Sequence, residues 1–340
     1  MIDKPNIFTY ATSELSQDAF LCWFIEWANT HHQTSNPLLH KISTRFLHII
    51  FNKHQIQFPS IDKITIHRQV ENIDVLVAIN DKYAIIIEDK TFSSQHSDQL
   101  AKYFKKINQK GSYQVIFPIY YKTGNQSNFD PIYKDGYQVI KREEMIELFE
   151  EYNIQKTNND IVIDYYDHLL KIDETYNNYL RLPIQMWSRR SWQGFYTRLQ
   201  LDLGGHWANV SNQRGRFVCF SWNVHTLNNC LLYIQLEVDH KSQEATLCLK
   251  IKVTGDENKS RLRNKWYKKV MENKKSGDLV FKKPDTFGHG IHMTFAELDS
   301  DYRVCENSII NLQGTISVLK QAEIFLDQLV VEVNMMNKGS

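Results

Sequence analysis

The sequence predicts a two-part α/β chain, with helices flanking a short sheet in the first half and an α+β region on a meander sheet in the second. Three observations carry this expectation. Apolar residues recur at helical spacing over 16–28 and 37–53, and two β-branched runs meet across a polar Asn80-Asp81-Lys82. Residues 217–222, 231–238 and 246–253 alternate like antiparallel strands. At 340 residues there is room for two domains with cores of their own.

Taken in order, 16–28 is an aromatic-rich amphipathic helix and 37–53 a second one. Residues 64–70 form a first strand. Val75, Val77 and Ile79 then alternate on one face, and Ile85 and Ile87 continue after the Asn80-Asp81-Lys82 turn. A helix over 94–109 leads to a strand over 113–121. A polar loop follows over 122–128, and a short last strand spans 137–140. Helices occupy 142–152 and 160–176. A boundary near Leu182-Pro183 separates domains at 1–180 and 185–337. Beyond it, Trp187, Trp192 and Phe195 lie on a helical stretch ahead of Gly204-Gly205. The three alternating strands follow, then a helix over 259–273 and a long helical pattern over 308–333.

Asp74, Glu88 and Lys90 sit inside two of the most apolar runs of the chain. Burying a charge there costs several kcal/mol unless a partner or metal offsets it. Glu88 and Lys90 are two apart and share a strand face, whereas Asp89 points to the other. Depending on loop length, the hairpin sets Asp74 opposite Ile87 or Glu88. Two carboxylates and an ammonium thus converge at one end of it. Carboxylates at close range share a proton or bind a divalent cation, and all-oxygen donors favour Mg²⁺ or Mn²⁺ over zinc. A structural ion pair of Asp74 with Lys90 is the alternative.

Asp74 followed by Glu88-Asp89-Lys90 resembles the pattern of the PD-(D/E)XK nuclease superfamily, with Ile73 in place of its proline. Gln99-Leu100-Ala101-Lys102-Tyr103 resembles the Gln-x-x-x-Tyr motif of the RecB-like branch. Ser13-Glu14-Leu15-Ser16-Gln17-Asp18-Ala19-Phe20-Leu21-Cys22-Trp23 is similar to the opening helix of a bacterial and phage subgroup. The resemblance covers roughly the first half of the chain. It implies a restriction-endonuclease-like α/β/α core with a mixed sheet and a nuclease that works through a metal-activated water, without a covalent intermediate. In that scheme Asp74, Glu88 and the backbone carbonyl of Asp89 hold Mg²⁺ or Mn²⁺, and Glu14 supplements them. Lys90 orients or deprotonates the water or stabilises the transition state, while Gln99 and Tyr103 brace the site. The implied partner is nucleic acid, DNA in preference to RNA. Without the resemblance, Glu14 is a first-turn helix acid and Tyr103 a core aromatic.

Charge is balanced, with 40 Lys and Arg against 39 Asp and Glu, so no global basic field announces nucleic acid. Lys102, Lys105, Lys106 and Lys110 decorate the helix of Gln99 and Tyr103. Arg261, Arg263, Lys265, Lys268, Lys269, Lys274 and Lys275 surround Trp266 and Tyr267. Either group is a phosphate-binding face or a solvated helix surface. His289 and His292 read as ordinary strand histidines. The five scattered cysteines argue against a disulfide framework and a structural zinc site, and for a reducing, cytoplasmic compartment. No leader pattern opens the chain and no apolar run approaches the about 20 residues that span a bilayer, so no membrane is expected. A homo-oligomer is left open. The competing functions are a nuclease-fold protein that binds without cutting, and a sensor or scaffold whose business lies in the second half.

Overall fold

The computed structural model describes residues 4–70, 72–93, 99–212, 215–238, 244–255, 258–273, 279–285, 287 and 290–338. Within these, the side chains of 99, 110, 211–212, 215–216 and 333–338 are left undescribed. The chain divides into two compact units, Met1–Glu174 and Thr175–Ser340.

The first unit opens with α1 (Glu14–Glu26) and α2 (Pro37–Lys53). α2 starts where Asn36 accepts the Leu39 N–H at 3.0 Å and Pro37 presets the first turn. Three strands follow, β1 (Ile64–Val70), β2 (Ile73–Ile79) and β3 (Tyr83–Lys90). Next come α3 (Gln99–Lys110), β4 (Val115–Lys122), α4 (Asp130–Lys134), β5 (Gln138–Lys141), α5 (Arg142–Glu151) and α6 (Asp160–Asn177). The strands lie in the order β1-β2-β3-β4-β5, antiparallel up to β3 and parallel from β3 to β5. This is the mixed sheet of the expected α/β/α core.

Both faces of the sheet are buried, which is why β2 and β3 are β-branched runs. Val75, Val77, Ile85 and Ile87 pack under α1, α2, α5 and α6, whereas Leu76, Ala84 and Ile86 pack under α3 and α4. Each such valine, leucine or isoleucine, fully buried, contributes about 1.5–3 kcal/mol. At the turn Asn80 and Asp81 both take left-handed φ values, 53° and 52°, and the Lys82 N–H closes on the Ile79 carbonyl at 3.1 Å. Two expectations change here. Lys122 and Thr123, predicted in a polar loop, are buried, and Lys122 ends β4. The predicted helix over 94–109 is described only from Gln99, since 94–98 lie outside the described residues.

The second unit carries α7 (Arg189–Leu203), then β6 (His206–Asn212), β7 (Gly215–Thr226), β8 (Cys230–Val238), β9 (Ala245–Val253) and α8 (Lys259–Glu272). β10 (Phe281–Lys282), β11 (His292–Leu298), the small pair β12 (Cys305–Glu306) and β13 (Ile309–Ile310), and α9 (Leu312–Lys338) complete it. Six strands form one antiparallel sheet in the order β10-β11-β9-β8-β7-β6. Gly205, at φ 76°, is required at the α7–β6 corner, since a Cβ there would meet the Ser221 carbonyl oxygen at 2.4 Å.

On α8 the structure favours one of the two readings, a solvated helix surface anchored by its aromatics. Trp266 is 3% exposed and packs in the core against Phe295, so it presents no face for a base. Arg263 is buried too, with its guanidinium 4.0 Å from the Phe287 ring centre. Lys274, Lys275 and His289 lie outside the described residues. His292 is an exposed strand histidine hydrogen-bonded through Nδ1 to the Tyr233 hydroxyl at 2.9 Å.

Candidate active site

The β2–β3 register pairs Val75 with Ile87 and Leu76 with Ile86, so Asp74 comes opposite Glu88. The Asp74 Oδ2 accepts the Asp89 N–H at 2.9 Å and closes that end of the ladder. Lys90 Nζ lies 2.7 Å from Glu88 Oε1, 3.8 Å from Glu14 Oε2 and 3.9 Å from Asp74 Oδ2. It also donates to the Asp89 carbonyl at 2.9 Å. Asp74, Glu88, Lys90 and Glu14 therefore meet.

Glu14 is more than a first-turn acid. Its Oε1 accepts the Thr91 N–H at 3.1 Å and the Ser93 hydroxyl at 2.7 Å, which docks the start of α1 onto the end of β3. The same segment is held from behind by Lys122, whose register partner is Lys90. The buried Lys122 ammonium donates to the Thr91 carbonyl at 2.9 Å and to the Ser93 carbonyl. Burial lowers its pKa to about 8, against the pull of Glu14 and Asp89.

Asp89 points to the opposite face, as strand periodicity requires, and is fully buried there. Gln17 of α1 donates to its Oδ1, Tyr165 of α6 donates to Gln17 Oε1 at 3.2 Å, and Tyr165 is hydrogen-bonded to Tyr121 at 2.9 Å. The neighbouring Asp18, 1% exposed, accepts from Gln69 at 2.9 Å, and Gln69 also donates to Asp74 Oδ1 at 3.2 Å. Sequence reasoning missed Gln17, Asp18, Gln69 and Lys122. The one available signal was polar residues on the apolar helix α1 and beside the turn after β1.

Tyr103 is half-buried and packs with the α3-side core. Gln99 opens α3, but its side chain is outside the described residues. Lys102, Lys105 and Lys106 are exposed on that helix, and the side chain of Lys110 is undescribed.

Charge explains the titration of the site. Burial, and then Asp74, push the Glu88 carboxyl up to about 7, against the hydrogen-bonding pull of Lys90. Burial and then Asp74 likewise carry Asp18 to about 7, and burial with Asp18 raises Asp89 well above the carboxylate range. Burial alone would lower Lys90, but Glu88, Asp74 and Glu14 outweigh it and hold it charged. Lys90 faces Glu88 Oε1, and the buried Glu88 Oε2 has no hydrogen-bond partner. Oxygen donors only, one of them buried and unpartnered, suit a hard divalent cation. Among the described residues Asp74, Glu88 and Glu14 do not gather their oxygens within 4.8 Å of one another, and the Lys90 ammonium stands among them.

A family model of the PD-(D/E)XK nuclease superfamily matches residues 5–177. Comparisons with the curated proteins and with the solved structures returned no match. The chain belongs to the PD-(D/E)XK nuclease superfamily.

Proposed function

We propose that this superfamily member is a nuclease that hydrolyses phosphodiester bonds of nucleic acid, DNA before RNA, at the end of the β2–β3 hairpin. The observation that carries the proposal is Glu88, a buried carboxylate with an unpartnered oxygen beside Asp74, pushed up to about 7. Asp74, Glu88 and the Asp89 carbonyl would hold Mg²⁺ or Mn²⁺, with Glu14 in support. A cation so bound supplies a water acidic enough to attack near neutral pH and neutralises charge on the phosphate. Lys90 stays charged and reaches all three carboxylates, so its ammonium is placed to orient that water or stabilise charge on a phosphate oxygen. Asp74 is aimed by the Asp89 N–H and Gln69, and Glu14 by Thr91 and Ser93. Gln99 and Tyr103 would brace the site from α3, whose exposed Lys102, Lys105 and Lys106 would meet phosphates. The first unit would carry the chemistry and the second would select the target. The five scattered cysteines suit a reducing, cytoplasmic compartment.

One observation favours the alternative, a nuclease-fold protein that binds without cutting. Lys90 stands within ion-pair distance of Glu88, Glu14 and Asp74 and itself offsets part of their charge.

The test is incubation of the full chain with labelled single- and double-stranded DNA and RNA in Mg²⁺, Mn²⁺ or EDTA. Metal-dependent cleavage is expected, lost in Asp74→Ala and Lys90→Ala while circular dichroism is unchanged. Cleavage retained by both variants would sink the site, cleavage in EDTA would sink the metal, and no cleavage of any substrate would leave the binding protein.

A further inference from the structure

We propose that Glu26, His31 and His32 form a second metal site, chemically unlike the first and suited to a borderline transition ion such as Zn²⁺. Among the described residues this is the trio of side chains whose ligand atoms all lie within 4.8 Å of one another. His32 Nε2 is 3.7 Å from Glu26 Oε1, and the two imidazole rings are 4.0 Å apart at their centres. Metal–ligand bonds of about 2.0–2.1 Å in a tetrahedron ask for ligand atoms roughly 3.3 Å apart, which rotations of these partly exposed side chains reach. The scattered cysteines argue against a thiolate zinc site but not against one built from two imidazoles and a carboxylate. That donor set discriminates against Mg²⁺, which prefers oxygen throughout.

The carboxylate is held in place from outside the trio. Asn29, 6% exposed, donates to Glu26 Oε1 at 2.7 Å, and its own Oδ1 accepts the Ile64 N–H of β1 at 3.1 Å. Such second-layer hydrogen bonds orient the ligands of metal sites. Asn29 also precedes the single 3₁₀ turn Thr30–His32 that presents both imidazoles. Glu26 ends α1, the helix that Glu14 begins, so the two sites are about 18 Å apart at 1.5 Å per residue. Three protein ligands leave a further position for water, and the half-exposed side chains let an ion enter the folded chain. An ion there would tie the end of α1 to the turn that follows it.

Calorimetric titration of Zn²⁺ into the untagged full chain, in excess Mg²⁺, tests the site. One equivalent is expected to bind, about tenfold or more weaker in His31→Ala and in His32→Ala, and unchanged in Asp74→Asn. His31→Ala should keep the wild-type melting curve in EDTA, since His31 is exposed. No binding to the wild-type chain, equal binding by both histidine variants, or binding lost in Asp74→Asn would each overturn the proposal.

Discussion

Each unit places a glutamate–lysine pair at 2.7 Å inside its sheet, and the two pairs are built to different ends. In the second unit Lys250 of β9 meets Glu237 of β8, and donates on its other side to Thr294 of β11 at 3.0 Å. One cation answers one anion, the anion is a third exposed, and although burial lowers the Lys250 pKa, Glu237 together with Cys248 and Tyr233 raises it overall. In the first unit Lys90 answers Glu88, Asp74 and Glu14 together, with Glu88 2% exposed and one of its oxygens unpartnered. A matched pair on a half-wet face is a strut. An excess of buried negative charge around one cation destabilises the empty fold and is retained where a substrate or ion repays it.

The largest test of that contrast is to remove each cation in turn. Lys90→Ala should reduce kcat at least about 100-fold, in the range for losing one charge-stabilising group. Lys250→Met should stay within about twofold on the same labelled substrate. Equal losses in both would erase the distinction. Next in size is Lys122→Met, which leaves two carbonyls of the Thr91–Ser93 segment without their donor and loosens the grip on Glu14. A roughly tenfold rise in half-saturating Mg²⁺, larger than the change in kcat, would show that the clamp serves the carboxylates. An unchanged Mg²⁺ requirement would make Lys122 a strut like Lys250.

A third test is pH. Glu88 moves from its ordinary 4.5 to about 7, and Asp18 from 3.8 to about 7, on folding. Between those limits the folded chain keeps protons that the unfolded chain has lost. Their stabilising effect is complete below the unfolded values and fades as pH rises through about 7. The melting temperature of the EDTA-stripped chain should therefore fall from pH 5 to pH 8, and Mg²⁺ should restore more of it at pH 8 than at pH 5. A melting temperature that climbs over this range would contradict the titration described above. Smallest in its effect on cleavage is Glu237→Gln, which leaves the largely buried Lys250 without its counter-charge and should cost about 1–3 kcal/mol in denaturant unfolding and nothing in activity.

Much of the first unit was legible because its signals are local. The β-branched runs and Asn80-Asp81 announce the hairpin, and a period of two brings Glu88 and Lys90 to one face. What escaped was decided by partners distant in sequence. Lys122 reads as the start of a polar loop because its acceptors, Thr91 and Ser93, belong to another strand's end. Gln17 and Asp18 lie among Phe20, Leu21 and Phe24 on a helix buried on most sides, so no polar stripe sets them apart. β6 carries His206, Asn209, Ser211 and Asn212 and offers no apolar alternation, and only pairing with β7 makes it a strand. Trp266 is a case sequence leaves open, since aromatics among lysines suit a base-stacking face or an anchor for a charged helix, and packing decides for the anchor.

The Asn80–Asp81 turn sets the spacing of a device at the other end of its hairpin. Asn80 is pinned by the Ser60 carbonyl at 2.8 Å and the Asp62 N–H at 2.9 Å, while β1 and β4 clamp the outer edges of β2 and β3. If one residue added to or removed from this exposed turn shifts the register by one, Asp74 comes against Ile87 or Asp89 instead of Glu88, roughly 20 Å away. Surface loops ordinarily absorb such length changes. This one is a gauge, and insertion scanning should find it as intolerant as the core.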